Sequence, residues 1–268
     1  MEKLEVIGAK KLKGTIKISG SKNSSLPILA ATLLSNKKIK LFNLPSVKDI
    51  ETMISLLKSL GSSIKLDKKK KSADICNSKN IKTFASYNLV KTMRAGILVL
   101  GPLLARFNKA KVSLPGGCAI GARPVDIHLK ALSKLGVTYK IVQGYIYAKA
   151  PKGLTGNVIK FPKISVGATE NLIIAASLAK GKTILKNCAI EPEITDLINF
   201  LRKMGCNIKW TGKRTIAVNG VKTLKQLNYK IMFDRIEAGT YMIASTLTKS
   251  NLKIINIQPK IIKTETDI

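Results

Sequence analysis

Ser59-Leu60-Gly61-Ser62-Ser63-Ile64-Lys65 is a phrase that the chain uses three times. Its counterparts are Lys134-Leu135-Gly136-Val137-Thr138-Tyr139-Lys140 and Lys203-Met204-Gly205-Cys206-Asn207-Ile208-Lys209, so the three glycines fall 75 and 69 residues apart. Self-similarity at a fixed period marks a repeated supersecondary unit. Each phrase ends in a short strand, and an amphipathic helix precedes the first and third. Ile50, Met53, Ile54, Leu57 and Leu60 recur at helical spacing before the first glycine, and Ile194, Leu197, Ile198, Leu201 and Met204 before the third. Glycine at the far end suits a left-handed helix cap. Pro45 and Pro192 stand near the two helix starts, where a missing N–H costs nothing.

Working outward, an Ala- and Leu-rich helix from Leu26 to Leu34 leads to a strand at Ile39-Lys40-Leu41, and one from Asn171 to Ala179 leads to Thr183-Ile184-Leu185. Each unit therefore reads helix, strand, helix, strand, with extra strands between. Such alternation predicts an α/β fold whose sheets are covered by helices. A further copy opens at Ile236, with a helix over Gly239 to Leu247 and a strand over Leu252 to Ile257. By the same period its closing glycine would fall at about residue 275. The chain stops at Ile268, inside that copy's second helix, so the reading expects a truncated chain with an apolar face left open.

Composition narrows the class. Apolar residues make up 45% of the 268, enough for a sizeable core, while aromatics are only 5%. The net charge of +32 invites a nucleic-acid reading, but only six of the 47 basic residues are Arg. Base and phosphate readers lean on the bidentate guanidinium. The Lys residues are dispersed, and the one dense run, Lys68 to Lys71, reads as a solvated turn. The expectation is no nucleic-acid partner, with a positive field that steers anionic substrates. Cys76, Cys118, Cys188 and Cys206 show no C-x-x-C spacing, so neither a zinc site nor a disulfide framework is expected. Reduced thiols and the lack of a signal-peptide pattern point to a cytoplasmic location. The longest apolar run, Ala95 to Ala105, is too short to span a bilayer.

Five segments carry candidate chemistry. Ser19-Gly20-Ser21-Lys22-Asn23 precedes the first Ala-rich helix, where backbone N–H groups and Lys22 suit an anion; a plain capped helix is the alternative. Leu114-Pro115-Gly116-Gly117-Cys118-Ala119-Ile120-Gly121-Ala122-Arg123-Pro124-Val125-Asp126 is an insertion relative to the other units, and it sets a thiol and a guanidinium on a Gly-rich loop. Lys163-Ile164-Ser165-Val166-Gly167-Ala168-Thr169-Glu170-Asn171 repeats the anion-binding turn before the third Ala-rich helix. Met93-Arg94-Ala95-Gly96 and Asp234-Arg235-Ile236-Glu237-Ala238-Gly239 each put an Arg at a helix start. His128, the single His, and Trp210 are read as structural, as are Cys76, Cys188 and Cys206.

Taken in order along the whole chain, these segments resemble the enolpyruvyl transferase family. The Cys118 loop favours the branch acting on UDP-N-acetylglucosamine over its shikimate-pathway sister. The resemblance implies an inside-out α/β barrel of repeated helix–strand units. Residues 22–230 would be one complete domain of three repeats, and residues 1–21 and 231–268 part of a second. It implies transfer of the enolpyruvyl group of phosphoenolpyruvate to the sugar 3′-hydroxyl at the entry to peptidoglycan synthesis, with no metal or redox cofactor. Cys118 would be the general acid. Lys22 and Asn23 would hold phosphoenolpyruvate. Arg94, Arg123, Pro124, Val125, Asp126, Ile127, Lys163, Ser165, Val166 and Gly167 would hold the sugar nucleotide. The general base would lie past Ile268, so this chain by itself is expected to be inactive. A basic binding module without catalysis is the reading from a different class.

Overall fold

The computed structural model describes residues 11–116 and 125–266, together with residues 3, 5, 7 and 8. After β1 (Lys13–Lys17) the first unit contains α1 (Lys22–Ala31), β2 (Ile39–Phe42), α2 (Lys48–Leu60), β3 (Ser62–Asp67) and β4 (Ser72–Asn77). The second contains β5 (Phe84–Ala85), α3 (Tyr87–Val90), a 3-10 helix (Arg94–Val99) running into α4 (Leu100–Phe107), then β6 (Lys109–Ser113), α5 (Asp126–Ser133), β7 (Thr138–Val142) and β8 (Tyr145–Lys149). The third contains β9 (Val158–Lys160), α6 (Val166–Ala176), β10 (Lys182–Lys186), α7 (Pro192–Lys203), β11 (Asn207–Gly212) and β12 (Thr215–Asn219). Then follow β13 (Leu227–Lys230), α8 (Arg235–Leu247), β14 (Asn251–Ile255) and α9 (Lys263–Thr266).

The repeat is carried into the sheets. Their strand orders are β13-β2-β4-β3, β5-β6-β8-β7 and β9-β10-β12-β11. In each, the first two strands are parallel and the remaining pairings antiparallel. Units two and three open with their own parallel edge strand. Unit one takes its edge strand from β13, which follows unit three, so the chain closes the ring of three units on itself. A fourth, two-stranded sheet pairs β1 with β14, again in parallel.

Why the helices lie inside follows from their composition. α1 is buried from Ser24 to Ala31 and α6 from Ala168 to Ala176, so each is enclosed on every side and, being largely apolar, belongs in a centre. α2 and α7 are amphipathic and lay Ile50, Met53, Leu57 and Leu60, or Ile194, Leu197, Ile198 and Leu201, on that centre. The result is the expected α/β architecture with helices within and sheets without. Among the described residues no sheet closes on itself. The expected cap glycines Gly61, Gly136 and Gly205 all take positive φ, at 108°, 94° and 106°. A second, smaller apolar cluster joins Ile18, Phe233, Ala238 and Ile262. Beside it α8 leaves Ile243 63% and Leu247 79% exposed.

One repeated device was not read from the sequence. Asn43, Asn187 and Asn256 follow β2, β10 and β14 with left-handed φ of 63°, 61° and 64°. Each donates its side-chain N–H to a carbonyl just beyond the parallel partner strand: Asn43 to Ile231 at 3.0 Å, Asn187 to Phe161 at 3.0 Å and Asn256 to Ile18 at 2.7 Å. Asn tolerates this conformation because its short amide bonds locally. One expectation needs correcting. Cys76 is exposed on β4 rather than packed, because it alternates with the inward-facing Ile75 and Asn77. Trp210 lies within β11 and is half-buried against the core.

Candidate functional site

A cleft of about 590 Å³ opens where the starts of α1, the Arg94–Val99 helix, α5 and α6 converge. Asn23, Arg94, Ser165, Val166 and Gly167 line it, so five of the expected site residues, from all three units, meet in one place. His128, Glu170, Glu191, Glu193 and Arg235 complete the polar lining. A neighbouring hollow of about 850 Å³ between the two apolar clusters shares Glu191 and Arg235 with it.

The anion-binding character is built locally. Ser165 caps α6, its hydroxyl accepting from the Ala168 amide at 3.3 Å. The amides of Val166 and Gly167 then have no acceptor within the helix and face the cleft end, where the helix dipole is positive. His128 adds a third donor. Asn171 fixes its tautomer: Asn171 Oδ1 accepts from the Gly101 amide at 2.8 Å, so Nδ2 must be the atom that donates to the Ile97 carbonyl at 3.1 Å and approaches His128 Nδ1 at 3.2 Å. Nδ1 accepts, which leaves the ring proton on Nε2. A Cβ built on Gly167 would stand 3.5 Å from that atom, so the Nε2 edge lies against the α6 start. Burial, and secondarily Arg94, lowers the His128 pKa to about 4 against the opposing pull of Asp126, and the ring is neutral at pH 7. His128 is thus both the structural residue expected and a wall of the cleft.

The carboxylates are arranged differently. Arg235 Nε donates to Glu193 at 3.0 and 3.3 Å, a pair nearly closed to solvent. Glu170, on α6 behind the donors, is held well above the ordinary carboxylate range, first by burial and then by Glu193 and Glu191. The described residues contain no cluster of His, Cys, Asp and Glu fit to hold a metal ion.

The other expected residues are placed as follows. Lys22 is the first residue of α1 and pairs with Asp49 at 3.1 Å on the rim of α2. Lys163 is exposed just before α6. Asp126 begins α5 and pairs with Lys130 at 3.6 Å, while its Oδ1 is buried with no hydrogen-bond partner among the described residues. Ile127 is buried in the main core and Val125 packs against it. Cys118, Arg123 and Pro124 lie outside the described residues. Glu170 and Arg235 stood inside quoted motifs without a role; only their burial and neighbours reveal them.

Comparison with known proteins places this fold. The chain superposes on the enolpyruvyl transferase NikO from Streptomyces tendae with a TM-score of 0.83 at 21% identity, covering 97% of this chain and 60% of that one. It superposes on an EPSP synthase from Acinetobacter baumannii with a TM-score of 0.70 at 15% identity, covering 91% and 55%. The architecture is therefore that of the enolpyruvyl transferases. The chain belongs to the family described as EPSP synthase (3-phosphoshikimate 1-carboxyvinyltransferase), which matches residues 6–268. Within the family its sequence is 75% identical to the UDP-N-acetylglucosamine 1-carboxyvinyltransferase of Pelagibacter ubique over 100% of this chain and 64% of that protein. It is 50% identical to the protein of the same name from Coxiella burnetii over 97% of this chain and 60% of that one. The chain thus spans about six tenths of the length of the relatives it matches.

Proposed function

We propose that this chain is part of an enzyme that transfers the enolpyruvyl group of phosphoenolpyruvate to the 3′-hydroxyl of UDP-N-acetylglucosamine. That reaction is the committed step of peptidoglycan synthesis, and it takes place in the cytoplasm. The sugar hydroxyl gives up its proton to a general base as its oxygen bonds to C2 of phosphoenolpyruvate and C3 gains a proton from a general acid. The C2–O bond to phosphate then breaks as C3 loses a proton, restoring the double bond. The observation that carries the reading is the convergence of Asn23, Arg94, Ser165, Val166 and Gly167 on one cleft. The identity to enzymes of that name over the whole chain supports it.

In this reading the α6 amides, Arg94 and the neutral His128 receive the diphosphate, aided by Lys163. Donors set beforehand at a helix start need no rearrangement when the anion arrives. Lys22 and Asn23, on the first turn of α1, hold phosphoenolpyruvate, Lys22 exchanging Asp49 for the phosphate. Cys118 protonates C3, and Arg123, Pro124, Val125, Asp126 and Ile127 form the nucleotide side of its loop. The unpartnered Asp126 Oδ1 supports a ligand there. Residues 22–230 form one domain and the flanking segments part of another, a division supported by the separate cluster around Phe233.

The test is intact mass after exposure to an epoxide phosphonate, with and without UDP-N-acetylglucosamine. One adduct, increased by the sugar nucleotide and absent from Cys118→Ser, is the expected result. A folded chain that takes its adduct at another thiol refutes the assignment of Cys118.

A further inference from the structure

Glu170 is out of keeping with its surroundings. It is 5% exposed, yet it makes no hydrogen bond and no ion pair among the described residues. Buried carboxyl groups are normally paired, because burial strips them of hydration that only a hydrogen bond or an opposite charge replaces. The atoms sealed from solvent without a partner are Asp126 Oδ1, Thr183 Oγ1 and Glu191 Oε2, and the oxygens of Glu170 are not among them. What surface Glu170 keeps belongs to the cleft that it lines.

Its place on α6 says what it meets there. Glu170 is four residues beyond Val166 and three beyond Gly167, hence on the same face of the helix. The rise over four residues is about 6 Å, and the Cα–Cβ bond leans back toward the helix start. Glu170 therefore lines the cleft on the same face as the amides that suit a diphosphate. In a nucleoside diphosphate sugar a ring flanks the phosphates on each side, and with the ribose side given to Val125, Asp126 and Ile127 in the reading above, the ring left for Glu170 is the sugar.

We propose that Glu170 is a specificity-determining residue, contacting the polar substituents of the sugar ring in a sugar nucleotide bound in this cleft. The proposal rests on the reading of the α6 start as the diphosphate site. Glu193, already neutralised by Arg235, and Glu191 face Glu170 and favour its protonated form, as burial does. A neutral carboxyl offers one donor and one acceptor, as a sugar hydroxyl or an acylamino group requires. It also brings no negative charge beside the phosphates.

The experiment is calorimetric titration of the chain with UDP-N-acetylglucosamine and, separately, with UDP, for the wild type, Glu170→Gln and Glu170→Val. A lost hydrogen-bonding pair predicts that Glu170→Val weakens the sugar nucleotide about tenfold and UDP less than about twofold. Glu170→Gln, which keeps a donor and an acceptor, stays within about threefold for both. Equal weakening of both ligands by Glu170→Val, or of neither, overturns the proposal and leaves the nucleotide site standing. A folded wild type that binds neither ligand overturns the nucleotide reading and this inference with it. Valine at a buried unpaired position should raise the melting temperature; should Glu170→Val not fold, Glu170→Ala read against the same two ligands makes the same discrimination.

Discussion

Asn171 Nδ2 lies 3.2 Å from Nδ1 of His128, and this contact sets the tautomer of the single imidazole of the chain against the start of α6. Protonation of the ring would bury a charge, place it beside Arg94, and put a second donor against the Asn171 amide. Folding therefore favours the unprotonated form, with the pKa lowered from 6.5 to about 4. The unfolded chain binds the proton more readily than the folded one over that interval. The stabilisation is complete above pH 6.5 and is lost as pH falls toward 4. At about 1.4 kcal/mol per unit it amounts to roughly 3 kcal/mol. His128→Asn keeps an acceptor for Asn171 without the titration. Urea unfolding should show the wild type losing about 3 kcal/mol more than this variant between pH 7 and pH 4. Parallel stability curves would refute the account.

The same asparagine sets a steric limit on α4. A Cβ on Gly101 would lie 2.3 Å from Asn171 Oδ1 and 2.7 Å from its carbonyl oxygen. Alanine is the better helix former by about 1 kcal/mol, so an open site would make Gly101→Ala stabilising. The close approach of α4 and α6 reverses the sign, because backbone cannot move aside as a flexible side chain does. The expected net cost is about 2 kcal/mol, with a lower melting temperature. An unchanged or raised melting temperature would mean that the two helices can separate cheaply.

Asp196, on α7, gathers three donors: the Ser24 hydroxyl on α1, the Tyr229 hydroxyl at 2.6 Å, and the Met232 amide at 3.2 Å. It joins three elements at the point where the chain leaves the main core for the smaller cluster. Tyr229→Phe should cost about 2 kcal/mol and Asp196→Ala about 3 or more, since the latter strands the Ser24 hydroxyl and the Met232 amide and leaves the Tyr229 hydroxyl only the backbone carbonyl of residue 196, at 3.1 Å. The double variant should cost less than the two together by at least about 0.5 kcal/mol, the mark of one shared network. Strict additivity in chemical denaturation would show instead that the two hydroxyl contacts act independently.

The sequence carried the repeat plainly because its signals are local. A helical stripe such as Ile50 to Leu60 and a glycine cap such as Gly61 need no knowledge of distant residues. The closure of the ring by β13 against β2 joins Tyr229 to Leu41 in register, and no local pattern announces it. Asn43, Asn187 and Asn256 each offered a single residue of signal, visible only once their left-handed turns align. For the site, Asn23, Arg94 and the Ser165 turn were readable because helix-start chemistry is written in neighbouring residues. Glu170, His128 and Arg235 act through burial and through partners as far away in sequence as Glu193 is from Arg235. Whether Ile127 packs in the core or faces a ligand was equally beyond a reading of spacing alone.

The pairing of β1 with β14 has a bearing on how the protein is made. Ile18 receives its partner Asn256 across 238 residues of chain. At about 5–20 residues per second, roughly ten to fifty seconds of translation separate the two strands. β1 thus waits over that interval as an edge without its parallel neighbour, carrying the apolar Ile16 and running into Ile18. Lys11, Lys13 and Lys17 punctuate that edge. Repeated positive charge on a waiting strand discourages it from pairing with the same segment of another nascent chain.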